Sequence, residues 1–344
     1  MEYGKVVTKT KRLKVYELAE DVYACVTPNK SWGSVCNGFI TRGKGLIYDT
    51  FYDLPHCKEM LDVYESIKGD RKPGFVVNSH YNGDHIYGNQ FFPDSAIVMH
   101  EKVLEEIKGE PISFVENIYA ARNDPNAVDW LKYFADCMEG LDFRGIRWQN
   151  PDILIKTGSK GIDITLDGMV CQVLNIAPAH SQSDLLLWLP EERVVFTGDI
   201  VFEKGGMVAW SEEGIVKWAK ALGDIAELNP RVVVAGHGGL CGVDHVLELK
   251  AYFDDVLDQF NAMYTPDIEP LELAKKLDIA KYINWLEPER VMTIVESLCR
   301  GRRGEPKATF AEVIPKLIKL KEFYDEKYAD IKKPWNPLNS WGEE

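Results

Sequence analysis

Val77-Asn78-Ser79-His80-Tyr81-Asn82-Gly83-Asp84-His85 is the stretch on which the fold turns. It begins at the end of a short apolar run, Phe75-Val76-Val77, with turn residues on both sides. That run predicts a buried strand, and the loop behind it carries His80, Asp84 and His85. Three later stretches have the same form. His180 follows Val173-Leu174-Asn175-Ile176-Ala177-Pro178, Asp199 follows Val194-Val195-Phe196-Thr197-Gly198, and His237 follows Val232-Val233-Val234-Ala235-Gly236. Loops at strand ends are where layered α/β proteins assemble their sites. Imidazole and carboxylate are donors that Zn²⁺, Fe²⁺ and Mn²⁺ accept. One such histidine is an ordinary hydrogen-bonded loop residue. Four in one setting, joined by an aspartate, predict a metal site. His56, His100 and His245 fall in helical or surface-like surroundings and are expected to play no part in it.

Working outward, residues 13–50 alternate as strands do, and Gly43-Lys44-Gly45 marks a hairpin turn. Residues 55–68 carry a helical apolar face of Met60, Leu61, Val63, Tyr64 and Ile67. A helical insertion is expected over about 101–140, broken near Gly109-Glu110-Pro111 and Asn123-Asp124-Pro125. Strands resume at 163–166, 170–174, 185–189, 194–197 and 232–235, with a helix over about Ile215 to Ala226. The pattern from 243 to 331 is almost wholly helical. The division expected is a metal-binding domain over 1–242 and a helical C-terminal extension over 243–344 that packs on it.

The chain has 344 residues, 40 Lys and Arg against 54 Asp and Glu, and a net charge of −14. A chain of this size needs no metal to fold, so a metal is expected to be functional. The acidic balance argues against nucleic-acid or anionic-membrane partners. The dense basic stretch Arg300-Gly301-Arg302-Arg303 reads as a short solvated loop. Seven cysteines form no C-x-x-C pair and sit mostly in apolar runs, so reduced buried thiols in a cytoplasmic protein are expected. No apolar run follows Met1-Glu2-Tyr3-Gly4-Lys5, and no run of 18 apolar residues occurs, so neither a secretory signal nor a membrane span is expected.

The loop at 77–85, with Gly88-Asn89 after it, resembles the H-x-H-x-D-H loop of the metallo-β-lactamase superfamily. His180 in Ala177-Pro178-Ala179-His180-Ser181, Asp199 in Thr197-Gly198-Asp199 and His237 in Ala235-Gly236-His237-Gly238 follow in that family's order. The resemblance implies an αββα four-layer sandwich with one or two divalent ions in a cleft at the strand ends. It implies a first metal set of His80, His180 and a bridging Asp199. The implied second set is Asp84, His85 and His237 with Asp199 shared. The family's second loop histidine is Asn82 here, either a weak amide-oxygen ligand or a hydrogen-bonding neighbour of the ligands. Since an amide oxygen is a poorer zinc ligand than imidazole, the second set should bind more tightly.

The resemblance implies a metallo-hydrolase, zinc-dependent first of all, with iron or manganese as alternatives. A metal-bound hydroxide, oriented by Asp84 as the catalytic carboxylate, would be the nucleophile. β-Lactamases proper usually carry Cys or Ser where Asp199 stands. The bond expected is therefore an ester, lactone, thioester or related bond rather than a β-lactam. Trp32, Tyr81, Tyr87 and Trp210 flank the ligand stretches and are the candidate substrate contacts, pointing to a small apolar or aromatic substrate. The alternatives are a mononuclear non-haem iron oxygenase of the persulfide-dioxygenase type, using His80, His180 and Asp199, or a scaffold without chemistry. The C-terminal helices offer a surface for homo-oligomer formation.

Overall fold

The computed structural model of the chain describes residues 3–27, 34–69 and 71–333. The first half runs β1 (Lys5–Lys9), β2 (Lys14–Ala19), β3 (Val22–Val26), β4 (Cys36–Ile40), β5 (Leu46–Tyr48), α1 (Leu54–Lys68), β6 (Phe75–Val77) and α2 (Gly83–Ile86). It continues through β7 (Ala96–His100), α3 (Val103–Glu106), α4 (Ile112–Ala121), α5 (Asp129–Cys137) and β8 (Ile153–Ile155). These eight strands form one sheet in chain order, antiparallel from β1 to β5 and parallel from β5 to β8.

The second sheet is built from β9 (Gly161–Leu166), β10 (Met169–Asn175), β11 (Leu185–Leu189), β12 (Val194–Phe196), β13 (Val232–Val234) and β14 (Leu240–Cys241), with α6 (Glu212–Glu227) crossing between β12 and β13. α7 (Val243–Met263), α8 (Pro270–Lys276), α9 (Val291–Arg303) and α10 (Phe310–Lys327) follow.

Side-chain alternation sorts each strand's residues between two apolar layers. Tyr48, Val77 and Val98 of the first sheet bury against Leu187, Phe196 and Val234 of the second. The Tyr48 and Phe196 rings lie 5.4 Å apart. The neighbouring residues Ile47, Val76 and Ile97 point the other way, into a cluster with Met60 and Tyr64 of α1. On the second sheet, Trp188, Val195 and Val233 face Trp218 and Leu222 of α6 in the same manner. Helix, sheet, sheet and helix thus form four layers. Each fully buried Val or Leu contributes up to about 1.5–3 kcal/mol, so these layers dominate the stabilisation. α7, α9 and α10 share that outer core through Phe253, Leu298 and Leu317.

Two features differ from the sequence reading. Arg300, Arg302 and Arg303 are not in a loop but in the last turn of α9, where cations favour the carbonyl end of a helix. Arg300 pairs with Glu296 and Glu312, and Arg302 with Glu212, so the charges are matched locally. His100 ends the buried strand β7 at 2% exposure instead of lying in a helical or surface-like setting. β7 and β8 are short parallel strands, and such runs carry little period-2 signal. All seven cysteines are free, six of them buried. Among the described residues, no helix is long and apolar enough to cross a membrane.

Glu289, in the turn before α9, is 2% exposed, and its Oε2 has no hydrogen-bond partner among the described residues. Burial, aided by Glu287, raises its carboxyl to about 7. The unfolded chain ionises near the ordinary glutamate value, so the folded state loses stability as pH rises from about 4.5 to 7 and keeps that deficit above. Glu289→Gln is expected to stabilise the protein at pH 8 by about 2–3 kcal/mol and to have little effect at about pH 4. Urea unfolding at the two pH values measures this; equal effects at both would contradict it.

Candidate metal centre

The topology brings the predicted residues to one edge. β5 and β6 are parallel, as are β12 and β13, and β10 runs with β12 because both are antiparallel to β11. His80 and His85 follow β6, His180 follows β10, Asp199 follows β12 and His237 follows β13. All therefore leave from C-terminal strand ends that meet where the two sheets join. Cys36 N–H donates to Gly236 C=O at 2.8 Å and Leu185 N–H to Ser79 C=O at 2.7 Å, tying the sheets at this edge. Gly198 and Gly236 permit the approach. Gly198 has φ +50 and leaves no room for a Cβ against Ser79, and a Cβ on Gly236 would lie 2.3 Å from Asp199 Oδ1.

Two groups of donors result, His80, His180 and Asp199 in one and Asp84, His85, Asp199 and His237 in the other, all buried. Asp199 stands between the groups. Oδ2 lies 3.4 Å from His180 Nε2 and 3.7 Å from His80 Nε2, Oδ1 lies 3.0 Å from His85 Nε2, and His237 Nε2 is close to both oxygens, 3.1 Å from Oδ1 and 3.2 Å from Oδ2. Asp84 Oδ2 completes the second group at 3.4 Å from His85 Nε2 and 3.3 Å from His237 Nε2.

Each imidazole is oriented through its other nitrogen. Nδ1 of His80 meets Ser79 Oγ at 2.9 Å, that of His85 meets Asp49 Oδ2 at 2.8 Å, and that of His180 meets Val208 C=O at 3.0 Å. His237 Nδ1 donates to Ser34 C=O. A carbonyl only accepts, so the last two rings donate from Nδ1 and turn Nε2 toward the donor groups. Nε2 of His80 and of His85 and Oδ1 of Asp199 are buried without a full hydrogen bond. Donors bound to one ion at about 2.0–2.2 Å lie roughly 3–3.7 Å apart, the spacing seen in both groups. The donor set, its orphaned atoms and its outer hydrogen bonds fit divalent ions.

The electrostatics follow from the same contacts. Burial works against ionising Asp84 and Asp199, yet the rings around them hold both carboxylates below the ordinary range. Burial would lower His237, but Asp199 and Asp84 outweigh it and raise the ring to about 9. His80 goes down, through burial and the adjacent His85.

Asn82 stands between the groups and the insertion. Its Oδ1 lies 2.9 Å from His180 Nε2, and its Nδ2 donates to Glu110 Oε2 at 3.0 Å. A narrow cleft opens over the donors, with Asp84, His180, Asp199 and His237 at its base. Tyr52, Phe114, Phe134, Phe202, Trp210 and Phe310 make its walls apolar. Phe310 stacks on Phe114 at 5.1 Å and meets Trp210 at 4.8 Å, so the insertion and the C-terminal helices close one roof over the site.

Of the residues expected at the substrate, Trp210 lines this cleft and Tyr81 lines an adjoining recess with Glu106 and Lys307. Tyr87 lies beneath the loop at 4% exposure, its ring stacked on Tyr52 at 5.8 Å. It packs under Gly83 and is not among the lining residues. Trp32 falls outside the described residues. Sequence reasoning missed Asp49, Asp184, Glu110 and Arg290. Asp49 is fully buried and accepts from Ser79 N–H, Ser79 Oγ–H and His85 Nδ1–H. Asp184 holds the His180 loop by accepting from Ala179 and Ser181. Asp49 ends the apolar run Leu46-Ile47-Tyr48, the same signal that marked His80. Arg290 lines the cleft and is paired with Glu287.

The fold is a four-layer α/β sandwich with two donor groups at one edge that could hold metal ions. A family model, that of the metallo-beta-lactamase superfamily, matches residues 33–237, and the chain belongs to that superfamily. It is 23% identical over 210 residues to a beta-lactamase-like protein 2 homolog of Caenorhabditis elegans, covering 60% of this chain and 56% of that protein. It is 25% identical over 145 residues to a metallo-beta-lactamase type 2 of Bacteroides fragilis, covering 37% of this chain and 58% of that protein. The chain thus spans just over half the length of these relatives. Among solved structures, a metallo-beta-lactamase family protein of Thermus thermophilus superposes with a TM-score of 0.58 at 20% identity, over 84% of this chain and 95% of that one. A stereoselective inverting sec-alkylsulfatase of Pseudomonas sp. superposes with a TM-score of 0.61 at 15% identity, over 94% and 52%.

Proposed function

We propose that the protein is a metal-dependent hydrolase of a small, apolar or aromatic substrate. The bond cleaved is an ester, lactone, thioester or related bond, and the protein is not a β-lactamase proper. One observation carries the reading: Asp199 is shared by both donor groups, with Oδ2 toward His180 and His80, Oδ1 toward His85, and His237 near both oxygens. His80, His180 and Asp199 would hold one ion, and Asp84, His85, His237 and Asp199 the other, zinc being the first candidate and iron or manganese the alternatives.

A divalent ion held there supplies a water of lowered pKa and a Lewis acid for a substrate oxygen. The chain supplies the rest. Asp84 lines the cleft, so its carboxylate can accept a hydrogen bond from a water that faces the substrate. The aromatic walls favour an apolar acyl or leaving group and exclude bulk water. Arg290 is neutralised by Glu287, and the net charge is −14, both of which disfavour a polyanion. The second donor group is complete, which favours this reading over a mononuclear oxygenase or a scaffold. The protein is read as cytoplasmic, from its buried free thiols, with the outer faces of the C-terminal helices available to a second copy.

A panel of aryl and alkyl esters, lactones, thioesters, sulfate esters and phosphodiesters tests the reading. Turnover is expected on one uncharged ester-type class or on sulfate esters, lost on chelation and restored by metal. Metal-loaded protein inert to every ester-type bond, or one that prefers phosphodiesters, would contradict it.

A further inference from the structure

We propose that Glu110, from the helical insertion, is a positioning residue that fixes the Asn82 amide with its oxygen toward the His80–His180–Asp199 group, making that amide oxygen a donor to the first metal. The inference rests on the metal-site reading above.

An asparagine amide has nearly the same shape in its two flipped orientations, so its surroundings decide which atom faces where. Glu110 Oε2 lies 3.0 Å from Asn82 Nδ2, and a carboxylate oxygen is an acceptor there. The amide must therefore turn its N–H toward Glu110 and its oxygen inward. Inward lies His180 Nε2, 2.9 Å from Asn82 Oδ1. His180 donates its Nδ1 proton to Val208 C=O, which fixes the ring with Nε2 facing the Asn82 oxygen. The Asn82 oxygen thus lies 2.9 Å from His180 Nε2, which is itself 3.4 Å from Asp199 Oδ2, in a buried site. A cation held there would take the amide oxygen together with the ring nitrogen and the carboxylate. Were the amide flipped, its oxygen would oppose the Glu110 carboxylate and its N–H₂ would face the donor group.

Glu110 is itself anchored. Tyr81 O–H donates to its Oε1 at 3.3 Å, and the ammonium of Lys307 faces the same recess and attracts it. The residue comes from the break before α4, far from the strand ends that supply the other ligands. The insertion would therefore set the affinity of the first metal position. An amide oxygen is also a harder donor than imidazole, which moves that position toward Mn²⁺ or Fe²⁺ relative to the second.

The test is metal binding by the full chain, measured by equilibrium dialysis against buffered Zn²⁺ and Mn²⁺ with elemental analysis. Wild type is expected to take a tight and a weaker equivalent. Glu110→Ala should weaken the second of these by about tenfold or more and leave the tight one unchanged. Glu110→Met, which keeps the bulk and removes the acceptor, makes the same test if the alanine variant does not fold. Glu110→Gln keeps an acceptor without the charge and should retain most of the affinity. In an Asn82→His background, where an imidazole replaces the amide, Glu110→Ala should no longer matter. Unchanged affinity in both Glu110→Ala and Glu110→Met, or an equal loss in the Asn82→His background, would overturn the positioning role. Wild type that binds neither ion would instead overturn the metal-site reading.

Discussion

Asp199→Ala is expected to release both ions at once and to lower kcat/KM by about a thousandfold or more, on the order of 4 kcal/mol of transition-state stabilisation. The reason is geometric. Asp199 turns Oδ2 to His80 and His180 and Oδ1 to His85, and both oxygens lie near His237. No other carboxylate among the described residues reaches both groups. The sandwich itself should persist, because the four rings keep their Nδ1 hydrogen bonds to Ser79, Asp49, Val208 and Ser34. Elemental analysis and near-ultraviolet circular dichroism on one sample separate the two effects. A folded variant that keeps two equivalents of metal and full turnover would rule out the bridge.

Asp49→Ala is expected to cost about 3–5 kcal/mol of stability and about 10- to 100-fold in metal affinity, although Asp49 touches no metal position. Its carboxylate is fully buried and accepts three hydrogen bonds, from Ser79 N–H, Ser79 Oγ–H and His85 Nδ1–H. Alanine leaves those donors without a partner in a dry site and frees the His85 ring to turn. Asp49 also has φ +60, a region that asparagine tolerates better than alanine. Asp49→Asn should therefore fall between the two. Urea unfolding of metal-free protein and metal titration of folded protein read the two effects separately. An alanine variant within about 1 kcal/mol of wild type would mean the carboxylate is not the anchor.

The strand ends were legible because buried parallel strands are short apolar runs and their loops are polar. His80, His180, Asp199 and His237 each stand at such a boundary. What escaped were groups that act through space. Asp49 carries the boundary signal but no family motif. Asp184 acts within its own loop, by accepting from Ala179 and Ser181, and carries no family motif, while Glu110 acts through a contact with Asn82, 28 residues away. The roof of the cleft is assembled from Phe114, Phe134 and Phe310, which lie on separate helices and which helical periodicity marks only as apolar. The helical state of Arg300–Arg303 was hidden by its charge and by Gly301, whose missing Cβ makes room for Glu212.

The most direct measurement is the metal content of gently purified wild-type protein, followed by anomalous scattering from its crystals at the zinc, iron and manganese edges. One tight equivalent among Asp84, His85, Asp199 and His237 is expected. A weaker equivalent, filled on dialysis, is expected at His80, His180, Asp199 and Asn82. Protein that carries no dication and takes none up between these residues would contradict the account.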